Sequence, residues 1–421
     1  MIIALFIFIL TYIEMFAIPK YRHLIALITA IIFVMISILP IDQVLSVIDF
    51  NVILMILGTM GTVSLFISSK MPDLIADYLI KRAQNIKWMT VILAAFAGII
   101  SAFIDNVATV LIIAPIVLTI SKKANINPTI PIICIAIFSN LEGAATLTGD
   151  TTSFLLAKEL NMNFLDFFTY HNKIGLFFII QISLISSLVI LYFKQRKETK
   201  KVVYHANVIV NDYMPTILLI TSIIGLIIAS FIEDKMELTN GLICTGIFMI
   251  GLILTIIKKR SLKPLSSLKD IDYETIILLI SLFIIIGGIK NVGVIDYISQ
   301  IFINLPDNNF IIYSLIVLVS VVISSFVDNI PYVATMLPVI TTICNNTNIN
   351  PLLLYYGLII GATLGGNFTP IGASSNITAI GLLKKNGYNI SNKTYFSYSI
   401  PISLAAILTS YLIVWILFKT S

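Results

Sequence analysis

The sequence predicts an all-α polytopic membrane protein built from two inverted-topology repeats of five spans, each with a re-entrant hairpin and a broken helix. Three observations lead there. Of the residues, 58% are hydrophobic and only 11% are charged, with a mean hydropathy of +1.02, whereas a soluble domain carries about 25% charged residues. Apolar runs of about 20 residues, the length that crosses about 30 Å of hydrocarbon, recur along the chain. Two stretches, "SAFIDNVATVLIIAPI" (101–116) and "SSFVDNIPYVATMLPV" (324–339), carry the same acid–amide pair inside apolar sequence. A membrane barrel would instead show weakly alternating segments of about ten residues.

Taken in order, the spans are expected at 2–18, 23–40, 50–68, 129–157, 173–193, 213–232, 240–257, 273–289, 351–383 and 395–418. The first has no basic start and no small-residue cleavage site, so it reads as a retained helix rather than a signal peptide. Lys and Arg cluster in short loops, where they mark the cytoplasmic side. "KYRH" (20–23), "KQRKETKK" (194–201), "KKRSLKPLSSLK" (258–269) and "KK" (384–385) are placed inside. "LPIDQVLSVID" (39–49) and "EDKMEL" (233–238) are placed outside. Ten spans then alternate without conflict, and both termini fall outside. The net charge of +5 is used up in this orientation and gives no reason to expect nucleic acid as a partner.

Two apolar stretches do not fit simple spans. Residues 88–120 follow Lys81, Arg82 and Lys87 and precede Lys122 and Lys123, so both ends are expected on the cytoplasmic side. A continuous helix of that length would measure about 48 Å, too long for one crossing. A re-entrant hairpin with Asp105 and Asn106 near its tip satisfies both constraints. Residues 310–343, between Asp307 and "NNTNIN", fit a second hairpin entering from outside. Non-helical backbone at that depth must be buried in protein or line a polar cavity.

The two hairpins belong to one duplication. Asp105 and Asp328 are 223 residues apart, and the same offset pairs Asp49 with Asp272, "NINP" at 125–128 with "NINP" at 348–351, and Pro115 with Pro338. It also pairs Gly143, Thr146 and Gly149 with Gly366, Thr369 and Gly372. The charge pattern runs in opposite senses along spans 23–40 and 240–257, so the halves are inverted. The first repeat is expected over 1–200, with hairpin 88–120 and broken helix 129–157. The second is expected over 201–421, with hairpin 310–343 and broken helix 351–383. Inverted repeats with helices broken near the midplane are the architecture of secondary transporters.

Each half supplies two polar breaks. One is the hairpin tip, Asp105 with Asn106 and Asp328 with Asn329. The other is "EGAATLTGDTTS" (142–153) and its counterpart "GGNFTPIGASSN" (365–376). Gly143, Gly149, Gly365, Gly366, Pro370 and Gly372 are expected to unwind these helices and free backbone groups. Freed carbonyls suit Na⁺ and half-helix N-termini suit anions. Thr146, Thr148, Thr151, Ser153, Asn367, Thr369, Ser374, Ser375 and Asn376 add neutral donors and acceptors as candidate substrate ligands. Asp105, Asp328, Glu142 and Asp150 lie at expected membrane depth, and the sequence places no Lys, Arg or His there to pair with them. A carboxylate in hydrocarbon must protonate, bind a cation or face water. Such a site binds H⁺ or Na⁺, and an anion only together with cations. The bland readings are compatible: the Asp-Asn pairs can cap hairpin tips, Glu142 and Asp150 can face a water-filled vestibule, and each Ser or Thr can bond back to its own helix.

Other chemistries find little support. Cys134, Cys244 and Cys344 lie far apart in or beside apolar runs without metal-ligand spacing, and His23, His171 and His205 fall in loops or at interfaces. The Gly-rich runs lack the Lys of a phosphate loop. Intramembrane aspartyl proteolysis would need Tyr-Asp and Gly-x-Gly-Asp around its two acids, and neither motif is present. No cofactor is expected beyond Na⁺ or H⁺ as coupling ion.

These stretches resemble the ion transporter superfamily, which holds arsenite efflux permeases, D-type sodium/proton antiporters, the melanosomal P protein, and citrate and dicarboxylate–sodium symporters. "SAFIDNVATVLIIAP" is similar to the hairpin of the arsenite, P-protein and antiporter branches, and "SSFVDNIP" to its second-half counterpart. "EGAATLTGDTTS" is similar to a family stretch Gly-x-Ala-(Thr/Ser)-x-x-Gly-Asp, and "GGNFTPIGASSN" resembles the second-half break of the P-protein and permease branches. The resemblance covers nearly the whole chain. It implies two inverted five-helix repeats with hairpins and broken helices, and protomers that pair as homodimers. The symporter branch carries Ser-Asn-Thr at each tip, where this chain has Asp105-Asn106-Val107 and Asp328-Asn329-Ile330.

The expected function is therefore secondary active transport, not enzymatic chemistry, in a bacterial cytoplasmic membrane. Three cargoes stay open: Na⁺ exchanged for H⁺, a small species such as arsenite exported with proton coupling, and a carboxylate taken up by symport. An ion channel is the alternative from a different class. Flux at channel rates without a coupled ion would mark it.

Overall fold

The helices follow from the same residues that defined the spans. The structure, a computed structural model, describes all residues except 84, 125, 201–208, 211, 233–235, 260–262, 304–307 and 420–421. The first half runs α1 (Ile2–Ala17), α2 (Arg22–Met35), the short α3 (Val44–Val47), α4 (Phe50–Ser68), α5 (Met71–Lys81), α6 (Ile86–Ser101), α7 (Asn106–Ala124), α8 (Thr129–Glu142), α9 (Thr151–Glu159) and α10 (Leu176–Lys194). The second runs α11 (Met214–Ala229), α12 (Thr239–Lys259), α13 (Tyr273–Asn291), α14 (Val294–Ile303), α15 (Asn309–Ser324), α16 (Asn329–Asn346), α17 (Pro351–Gly365), α18 (Ser374–Lys385) and α19 (Asn392–Phe418). The 223-residue offset carries the start of α4 onto the start of α13, and likewise α5 onto α14, α6 onto α15, α7 onto α16 and α9 onto α18.

The duplication extends to the caps. The Asp49 side chain accepts the Val52 amide at 2.9 Å to start α4, and Asp272 accepts the Thr275 amide at 3.0 Å to start α13. Each fills one of the orphan donors of a helix N-terminus. Pro115 and Pro338 sit inside α7 and α16, where each removes one backbone bond from its helix.

Helices α4, α10, α12, α13 and α19 are each long and apolar enough to cross a bilayer alone. The other expected spans fall on the shorter helices α1, α2 and α11 and on the broken pairs α8–α9 and α17–α18. Helices α1 and α2 are bent by 116° relative to each other, and Thr11 and Thr29 share a 2.8 Å hydrogen bond between them. Two boundaries differ from expectation. The span expected at 23–40 stops as a helix at Met35, because Ser37 takes a left-handed φ of 57°. The Ile38 amide then bonds Phe33 O at 2.9 Å and the Ser37 amide bonds Val34 O at 3.1 Å, a Schellman closure of the last turn. The span expected from 173 begins at Leu176, because Thr169–Tyr170 and Lys173–Ile174 pair as a small antiparallel hairpin first. Glu233, Asp234, Lys235, Asp307, His205 and the repeat boundary expected at 200–201 fall on or beside residues outside the described set.

The ends of each hairpin meet segments that the charge pattern places on one side. The start of α6 bonds the segment after α10, with the Ile86 amide on Lys200 O at 3.0 Å. The end of α7 meets the loop after α18, with Lys122 Nζ on Asn386 Oδ1 at 3.1 Å. In the second half, Phe310 at the start of α15 packs on Trp415 near the end of α19, and Thr341 near the end of α16 donates to Glu159 at the end of α9.

The halves interlock reciprocally. Helix α4 packs along α12 and α13 along α2, while α9 packs on α16 and α18 on α7. Helices α8 and α17 form the centre: residues 131–142 and 352–365 are all buried. Outward faces of α1, α10, α12 and α19 carry exposed Ile and Leu such as Ile2, Ile185, Ile253 and Leu408, which is the surface a hydrocarbon solvent requires.

Candidate functional site

The site grows from four chain breaks that the fold brings together. At the first hairpin tip, Asp105 Oδ1 accepts the amides of Val107 at 2.9 Å and Ala108 at 3.1 Å, so it caps α7. At the second, Asp328 Oδ1 accepts the Ile330 amide at 3.3 Å. The first broken helix restarts at Asp150, whose Oδ1 accepts the Thr151 amide at 2.7 Å and whose Oδ2 accepts Thr152 Oγ1 at 3.0 Å. The link between halves is direct: Asn329 Nδ2 donates to Asp150 Oδ2 at 2.9 Å.

Glycine permits the breaks to close. A Cβ on Gly149 would lie 2.5–2.9 Å from the carbonyl oxygens of Gly143, Ser101 and Ala102. A Cβ on Gly372 would lie 2.6–2.8 Å from those of Gly366, Ser325 and Ser324. Each hairpin tip therefore seats on the glycine of its own break. Thr146 Oγ1 donates to Ala102 O and Thr369 Oγ1 donates to Ser325 O, clamping the same junctions.

A cavity of about 400 Å³ reaches this place, with Asp105, Thr148, Asp150 and Thr151 at depth. Its rim includes Asp270 and Asp272, which are exposed. Among the described residues that line it there is no Lys, Arg or His. Beyond it, a pocket of about 20 Å³ lies between the halves, bounded by Asp105, Asn106, Asp150, Thr151, Asn329 and Ser374. That space suits one water or one small ion. Among the described residues no group of three or more His, Cys, Asp or Glu could hold a metal, so an ion here would draw on carboxylate, amide and hydroxyl oxygens. On the other face of α9 a second cavity, of about 640 Å³, is lined by Asp49, Lys158, Glu237 and Asn240. Phe154 borders both cavities.

The expected site residues divide into groups. Asp105, Asn106, Asp150, Asn329, Thr148, Thr151 and Ser374 line the two inner spaces. Ser153 donates to Gly143 O at 3.3 Å, Ser375 to Ala136 O at 3.4 Å and Asn376 to Gly366 O at 3.2 Å. These side chains hold the breaks in shape. Gly365 and Gly366 end α17, and Pro370 lies in the break that follows. Glu142 is fully buried but apart from the inner spaces. Its Oε2 accepts Gln181 Nε2 at 2.5 Å, and its Oε1 has no partner among the described residues.

Two polar residues were not foreseen. Asn140 in α8 accepts Asn106 Nδ2 at 3.0 Å and donates to Thr363 O at 2.7 Å and Asn367 Oδ1 at 3.1 Å. It ties the first tip to the second break. The available signal was a lone amide in an apolar run whose register partner, Thr363, is also polar. The second residue corrects an expectation. Asp328 is not without a basic partner: Arg22 Nη1 donates to its Oδ2. "KYRH" reads as a surface loop in sequence, but the sharp α1–α2 bend turns Arg22 inward onto the second tip.

Interlocked inverted repeats with acids where their breaks meet define a membrane transporter. The family model described as "Citrate transporter" matches residues 3–354, and the chain belongs to that family. It is 29% identical over 376 residues to an uncharacterized transporter of Mycobacterium tuberculosis, covering 86% of this chain and 85% of that one. It is 28% identical to the 46 kDa membrane protein of Mycobacterium leprae, covering 99% and 98%. The P protein of Sus scrofa is 26% identical over 86% of this chain and 52% of its own length. The YdaH transporter of Alcanivorax borkumensis shares the fold, with a TM-score of 0.61 over 91% of this chain and 90% of that one at 13% identity.

Proposed function

We propose that the protein is a cation-coupled secondary active transporter in which Asp105 and Asp150, with Asn106 and Asn329, bind Na⁺ or H⁺ where the repeats meet. The carrying observation is that Asp105 and Asp150 face the same small pocket, which Asp272 also lines, and that no cationic side chain lines it among the described residues. In low dielectric an uncompensated carboxylate favours a bound cation strongly. In this conformation the pocket would load from the side bearing Asp270 and Asp272, where the negative rim attracts cations. Return of the site to the opposite side completes alternating access.

For cargo we favour a small carboxylate of the citrate class, entering after the cation has offset the acids. The family description supports it. Na⁺/H⁺ exchange, with the cation itself as cargo, is the second reading, and it is favoured because the charged residues among those lining the cavity of about 400 Å³, Asp105, Asp150, Asp270 and Asp272, are all acids. The test is flux into proteoliposomes after Na⁺ jumps and pH jumps, with citrate, succinate, sulfate and arsenite offered in turn. Uptake of citrate that requires one of the two gradients supports the first reading. Radiolabelled Na⁺ uptake driven by a pH gradient without any anion supports the second. Flux at channel rates that ignores both gradients contradicts the proposal.

A further inference from the structure

The two hairpin tips are alike in sequence and unlike in structure. Among the described residues the Asp105 side chain is held only by the backbone amides of its own turn, and Asp105 borders both inner spaces. Asp328 sits in a closed triad. Arg22 Nη1 donates to Asp328 Oδ2, Arg22 Nη2 donates to Ser374 Oγ at 2.9 Å, and Ser374 Oγ donates to Asp328 Oδ2 at 2.7 Å. Side-chain exposure is 20% for Arg22 and 7% for Asp328, so the pair is largely withdrawn from water. The asymmetry is written in the repeat. At the 223-residue offset Arg22 corresponds to Thr245, which carries no charge and donates to Leu54 O at 2.8 Å. The first tip therefore has no counterpart of Arg22.

We infer that Arg22 is a tethered cation, standing at the second tip where an exchangeable cation would otherwise bind. This rests on the cation reading of Asp105 and Asp150 above. The duplicated tips then divide their labour: the first exchanges its cation and the second carries a built-in one. A guanidinium suits the role because it keeps its charge and forks between a carboxylate and a hydroxyl. It comes from the α1–α2 corner, whereas Asp328 and Ser374 belong to the second hairpin and the second broken helix. The charge is thus supplied across an element boundary. Removing one member of a buried pair strands the other, while removing both restores neutrality.

The experiment compares full-length wild type, Arg22→Gln, Arg22→Lys, Asp328→Asn, the double variant Arg22→Gln/Asp328→Asn, and Asp105→Asn in proteoliposomes. Size-exclusion profiles check folding first. The probes are radiolabelled citrate and radiolabelled Na⁺, each driven by a Na⁺ or a pH gradient, with flux followed against the driving cation. Wild type and Arg22→Lys are expected to show a Hill coefficient of about 1, and Arg22→Gln one approaching about 2, as Asp328 becomes a second site. Asp328→Asn should lower flux at least about tenfold, and the double variant should recover it with a coefficient of about 1. A double variant as inactive as Asp328→Asn, alongside inactive Asp105→Asn, overturns the tethered-cation role and leaves the Asp105 reading standing. A coefficient in Arg22→Gln equal to wild type also overturns it. Undiminished coupled flux in Asp105→Asn overturns the cation reading itself.

Discussion

At the scale of residues, Asp150 is buried, Asp105 is half-buried, and one cavity reaches both. Their neighbours are chosen for shape. Gly149 lets three carbonyl oxygens approach its α-carbon, and a methyl group there would meet backbone rather than a side chain able to rotate away. Gly149→Ala is therefore predicted to push the first hairpin tip off its seat, cutting coupled flux more than tenfold while destabilising the fold by about 1–3 kcal/mol. Flux and thermal melting of the purified variant check this, and the same holds for Gly372→Ala at the second tip. The acids and glycines of this site were legible, since charge and backbone freedom stand out in apolar sequence. Arg22 was not, because a basic residue in a short loop between spans reads first as an orientation signal. Its partner lies 306 residues away, and no local pattern connects them. Asn140 was overlooked for a related reason: one amide in a run of Ile and Phe has no motif around it.

At the scale of elements, the duplication was the strongest signal, since a constant register survives where single motifs are ambiguous. It located both hairpins, both broken helices and the two capping aspartates. Asp49→Ala and Asp272→Ala are each predicted to cost about 1 kcal/mol, measurable by denaturation in detergent. The end of α2 was not legible, because Ser37 adopts a left-handed turn that sequence does not demand of a serine. Helix α9 has a further consequence. Phe154 borders the inner cavity and the cavity on its other face, so its ring is part of the barrier between them. Phe154→Ala is predicted to raise uncoupled leak of Na⁺ or H⁺ several-fold in proteoliposomes, with the gradient-driven component retained.

At the scale of the whole molecule, inversion was inferred from charge and is matched by reciprocal packing, α4 on α12 against α13 on α2. Which face is cytoplasmic is a prediction of the charge pattern. In a background without Cys134, Cys244 and Cys344, Lys87→Cys and Lys122→Cys should react with an impermeant maleimide from one side of the membrane, and Asn308→Cys and Asn346→Cys from the other. The central claim is that Asp105 and Asp150 hold the coupling cation at the meeting point of the halves. Its most direct test is the cation dependence of gradient-driven flux in Asp105→Asn and Asp150→Asn beside wild type, at equal amounts of folded protein in the vesicles. The account predicts loss of coupled flux by about a hundredfold in each, the scale of removing a charged group from a buried site. Wild-type flux with unchanged dependence on Na⁺ and pH in both variants would contradict it.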